Sequence, residues 1–86
     1  MLRKLVLAAT VAATPFAAFA MPAVGDVVGT NPDEATAALA AAGCTVQEFE
    51  AEGGLIEAKC TDADNKMWEV YIDPASGAVT KVSDND

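Results

Sequence analysis

Histidine is absent from the 86-residue chain, and cysteine, tryptophan and tyrosine are scarce, at two, one and one. Without an imidazole there is no base to activate Ser76 or Ser83, so Ser-His and Cys-His nucleophilic catalysis are excluded and zinc loses its nitrogen ligand. Cys44 and Cys60 are too far apart for a Cys-x-x-Cys redox motif. Basic residues are few as well. Beyond Arg3 and Lys4 there are only Lys59, Lys66 and Lys81, whereas all 13 acidic residues follow residue 20. Residues 21–86 therefore carry a formal charge of −10, which repels nucleic acid and anionic membrane surfaces. Solubility alone accounts for such a surface; a sharper reading is attraction to a basic partner or a cation. No catalyst, cofactor or metal is expected.

A continuous apolar run of membrane-spanning length, roughly 20 residues, is also missing, because Thr10, Thr14 and Pro15 interrupt the one that starts at Leu5. What remains is a charged start, an apolar stretch to about Ala13, and the small residues of Ala18-Phe19-Ala20. This predicts a secretory signal peptide over 1–20 cleaved near Ala20, with a periplasmic or secreted product and no stable membrane insertion. The residue directly after that cleavage point is Met21 and not cysteine, which argues against a lipid anchor at the new N-terminus. The remaining 66 residues suffice for one small domain that needs a staple. The expected organisation is an irregular lead-in over 21–29, frayed at its start, a domain over 30–83, and a tail over 84–86.

The chain is organised around residues 66–82. Trp68, Val70 and Ile72 alternate with Met67, Glu69 and Tyr71, as in a half-buried strand. Asp73-Pro74-Ala75-Ser76-Gly77 reads as a turn, after which Ala78 to Val82 folds back as a last strand. Upstream, Asn31 can cap a helix, Pro32 suits its first position, and Glu34 stands three residues after the cap as in a capping box. Ala35, Ala38, Leu39 and Ala42 form the apolar stripe of this helix, and Gly43 ends it. Cys44 to Ala51 suggests a strand in which Val46 and Phe49 share a face only if a bulge intervenes. Glu52-Gly53-Gly54 is a turn into Leu55 to Thr61, with Ile56, Ala58 and Cys60 facing the core. The fold class expected is α+β: one N-terminal helix packed on a four-stranded (three to four) antiparallel sheet.

In an exported chain, Cys44 and Cys60 are expected to form a disulfide; direct opposition would centre the first hairpin on Glu52, beside the glycine turn. Two separate buried thiols are the alternative. Asp62-Ala63-Asp64-Asn65 imitates the start of a calcium loop, but Lys66 stands where an oxygen ligand is needed and no central glycine or closing glutamate follows. Glu48, Glu50, Glu52 and Glu57 read as a solvated face whose carboxyls keep ordinary acidity.

Three stretches resemble the PepSY domain family: Asn31-Pro32-Asp33-Glu34-Ala35 with its Gly43 exit, Gly54-Leu55-Ile56-Glu57-Ala58, and above all Trp68 through Val79. Two departures are Asn65, where the family often has glycine, and the added cysteines. The family occurs in propeptides of thermolysin-like proteases and in small envelope proteins. The resemblance implies a protease-regulating binding module whose target, a peptidase or another envelope protein, is a separate chain. A partner strand is expected to pair with the edge of the last strand at Val79, Thr80 and Lys81, with Met67, Glu69 and Tyr71 adding contact area. The alternative function is an acidic scavenger of calcium or a small ligand.

Overall fold

The computed structural model describes residues 21–84. Its elements run helix α1 (Pro32–Ala41), then strands β1 (Thr45–Glu52), β2 (Leu55–Thr61), β3 (Met67–Ile72) and β4 (Val79–Asp84). The strands form one antiparallel meander in the order β1-β2-β3-β4. Such an order follows from three short connections, each of which returns the chain beside the strand it has just left.

Local chemistry sets the boundaries. Asn31 Oδ1 accepts the Glu34 N–H at 2.9 Å, and Pro32 sits in the first turn. The Glu34 carboxylate reaches back to the Thr30 N–H at 3.2 Å, one residue earlier than in the usual reciprocal box. Asp73 accepts the Ala75 N–H with its side chain and the Gly77 N–H with its carbonyl. Asn65, at φ +64°, is the one non-glycine residue with positive φ among the described residues, a conformation asparagine tolerates.

The expected parity conflict in β1 is resolved by a bulge. The register shifts between Val46 and Glu48, so Gln47 is the extra residue and both Val46 and Phe49 pack against the core. Leu39, Cys44, Ala58, Cys60 and Val70 are fully buried in that core, joined by Ala35, Ile72 and Val79. Cys44 and Cys60 are joined in a disulfide. They are not directly opposite: Cys60 pairs with Val46, Cys44 precedes β1, and the hairpin closes through Gly53-Gly54 between Glu52 and Leu55.

Two expectations need correction. The helix is short and is not N-terminal, because residues 21–31 precede it. Pro22, Gly25 and Gly29 deny that segment a helical pattern, and its backbone groups bond to β4 and the turn before it. Nor is the lead-in frayed. Gly25 N–H bonds to Val79 O, Val79 N–H to Asp26 O, and Val28 N–H to Gly77 O, each at 2.8 Å. Val28 and Pro22 are buried and Met21 packs against the core. Gly77 permits this approach, since a Cβ there would stand 2.8 Å from the Gly29 carbonyl. The expected signal peptide lies outside the described residues. β4 runs through Asp84, whose carboxylate meets Lys66 Nζ at 2.7 Å.

Candidate functional site

The sheet has one face under the helix and one without a covering layer. On the uncovered face the register lines up two cross-strand rows, Glu50-Glu57-Tyr71-Lys81 and Glu48-Lys59-Glu69-Ser83. Side chains in such rows stand about 5 Å apart, close enough to interact. Lys59 Nζ lies 3.5 Å from both Glu48 and Glu50, and Glu50 foremost raises its pKa. The Tyr71 hydroxyl donates to Glu69 Oε1 at 3.2 Å, and Lys81 Nζ sits 5.3 Å from the Tyr71 ring centre. Tyr71 is pushed above the ordinary phenol value, first by burial and then by this bond to Glu69.

Glu57 is the residue that sequence reasoning missed. The sequence pattern groups it with the solvated carboxylates of the first hairpin, yet it is only 4 % exposed, enclosed at the middle of a central strand. Burial first, and the neighbouring Glu69 second, hold its carboxyl above the ordinary glutamate value. A hairpin centred on Glu52 would set Glu57 opposite Gln47, whereas the two-residue turn at Gly53-Gly54 sets it opposite Glu50; the cover supplied by residues of β3 has no local sequence signal. Glu50, Glu52 and Glu57 bring one oxygen each within 4.8 Å of one another, but Glu50 already has Lys59 as counter-charge. Of the trio, Glu50 and Glu52 are exposed and Glu57 is buried.

The predicted contact residues divide. Met67, Glu69, Tyr71 and Lys81 share the uncovered face, and exposed Thr80 reaches back through its hydroxyl to the Tyr71 carbonyl at 3.4 Å. Val79 is not with them. It is buried in the core, and its N–H and C=O are both taken by the lead-in. Beyond Val79 no described residue bonds to the outer edge of β4. The opposite edge, β1, carries a bulge and three glutamates, features that discourage strand addition.

The calcium-like stretch is occupied by its own chain. Asp62 Oδ1 accepts the Asp64 and Lys66 N–H groups at 2.8 and 2.9 Å, and Oδ2 accepts Trp68 Nε1 at 2.9 Å. The Trp68 bond leads in lowering the Asp62 pKa. This carboxylate organises the β2–β3 turn and anchors a half-buried indole, over which Lys66 Nζ sits 5.2 Å from the ring centre. No helix among the described residues is long and apolar enough to cross a membrane.

No curated protein and no solved structure matches the chain. A family match does exist, to the family described as "Peptidase propeptide and YPEB domain", over residues 4–83. That match takes in α1 and all but the last residue of β4, and with it the residues from Trp68 to Val79 that carried the resemblance. The chain belongs to the PepSY family of peptidase propeptide and YPEB domains.

Proposed function

We propose that this protein is a non-catalytic binding module of the cell envelope, exported by its first 20 residues, that docks on a peptidase or another envelope protein. Membership of a peptidase-propeptide family over nearly the whole chain is the observation that carries this reading. The fold is consistent with it. The outer edge of β4 from Thr80 onward is open to a partner strand, beside a face that offers Met67, Tyr71 and Lys81. A module of this kind acts by occupancy, so it needs no nucleophile, and the sequence offers none with an activating base.

The test is titration of the purified protein into thermolysin-like and other envelope proteases, reading residual activity and direct binding together. Amide hydrogen exchange then locates the contact: pairing at β4 protects amides between Thr80 and Asp84. If no protease is bound or inhibited at micromolar concentration, and capture from a periplasmic extract returns nothing above background, the reading fails.

A further inference from the structure

The uncovered face holds one buried carboxylate that its own chain leaves without a donor. Glu57 stands on β2 between Glu50 of β1 and Tyr71 of β3, and it is 4 % exposed. Among the described residues no N–H, hydroxyl or ammonium group donates to it: Lys59 goes to Glu48 and Glu50, and Tyr71 goes to Glu69. Its side-chain hydrogen-bond neighbour is Glu69, another carboxylate, which has no proton to offer when ionised. A carboxylate enclosed in this way is satisfied only by a proton or by a cation from solution.

The oxygens around it are spaced for a cation. Glu50 pairs directly with Glu57, and Glu52, two residues on, lies on the same face of β1. One oxygen from each of the three lies within 4.8 Å of the others. Calcium takes carboxylate oxygens at about 2.3–2.6 Å, so ligands on opposite sides of the ion stand about 5 Å apart. Rotation of side chains, without movement of a strand, is then enough to bring the three onto one ion. The contact of Glu50 with Lys59 does not prevent this. Lys59 Nζ lies 3.5 Å from Glu48 as well, and keeps that counter-charge when Glu50 turns away.

We propose that Glu50, Glu52 and Glu57 form a binding site for one calcium ion, with buried Glu57 as the inner ligand and exposed Glu50 and Glu52 closing over it from the solvent side. Three oxygen ligands with no nitrogen or sulfur suit a hard cation. Water fills the remaining positions on the open side. Magnesium fits less well, because it demands bonds of about 2.0–2.1 Å in a rigid octahedron and sheds its water reluctantly.

The probe is calcium chloride, titrated at pH 7 into the isotope-labelled protein in about 0.15 M potassium chloride, which screens diffuse attraction to the acidic surface. Saturable shifts are expected at the side-chain carboxyl carbons of Glu50, Glu52 and Glu57 and at the neighbouring Tyr71 ring, with one calcium per chain by calorimetry. Magnesium should bind at least tenfold more weakly. Glu57→Gln and Glu52→Gln should each weaken calcium at least tenfold, whereas Glu48→Gln, on the same face but outside the trio, should stay within about twofold. The wild-type carboxyl shifts decide the matter even if a variant folds poorly. Shifts that do not saturate and spread over all the carboxylates, or equal calcium binding by Glu57→Gln, would overturn the proposal and leave charge attraction alone. A Glu57 carboxyl carbon that answers to pH and not to calcium would overturn it in favour of a proton held between Glu57 and Glu69.

Discussion

Reduction of the Cys44–Cys60 bridge should lower the melting temperature by more than any single surface change. The two residues are separated by 16 positions, and cross-linking a loop of that length restricts the unfolded chain by about 3 kcal/mol. A domain of this size has a total stability of only about 3–10 kcal/mol, so the bridge is a large fraction of it. At about 4–8 °C per kcal/mol for small domains, the expected fall is roughly 10–25 °C. Both cysteines are fully buried, so a reductant reaches them only when the core opens. The protein should therefore be reduced in denaturant, refolded with reductant present, and melted beside the oxidised form by circular dichroism. The double variant Cys44→Ala, Cys60→Ala is the companion measurement, slightly worse for the small void left where the sulfurs were. A reduced protein melting within a few degrees of the oxidised one would refute the entropy argument. Two free thiols in denatured, never-reduced protein would refute the bridge.

Leu39→Ala should cost about 2–5 kcal/mol in urea titration, because Leu39 is wholly enclosed between helix and sheet, whereas Val24→Ala, at a position 66 % exposed, should stay within about 0.5 kcal/mol. Glu57 has a raised pKa, so its contribution to stability is present below the ordinary glutamate value and is lost as pH rises through the raised one. Glu57→Gln should accordingly melt higher than wild type at pH 7 and lose that advantage near pH 4, as paired calorimetric scans will show. Asp62 is shifted the other way: its stabilising effect is present above the ordinary aspartate value and lost as pH falls through the lowered one. Trp68 fluorescence should change over that acidic range in the wild type and not in Asp62→Asn, where the indole bond to a titrating carboxylate is gone.

Periodicity, caps and turns are properties of neighbouring residues, and they sufficed for the elements. Asn31-Pro32 with Glu34 determined where the helix starts, Gly53-Gly54 and Asp73 through Gly77 determined where the chain reverses, and the alternation of Trp68, Val70 and Ile72 determined which face of β3 is buried. Even the bulge in β1 was required by the opposite parity of Val46 and Phe49. Three things were decided by tertiary structure, because each depends on segments far apart in sequence. The lead-in bonds along the start of β4, which takes Val79 off the free edge; nothing local to residues 21–29 names a partner some 50 positions away. Glu57 belongs to a polar face by its alternation, but its burial depends on Tyr71 and Glu69 being carried beside it by another strand. Glu50, Glu52 and Glu57 converge because the pairing of β1 with β2 sets them on one face, and a distance between side chains of two strands is fixed only once the strands are in register.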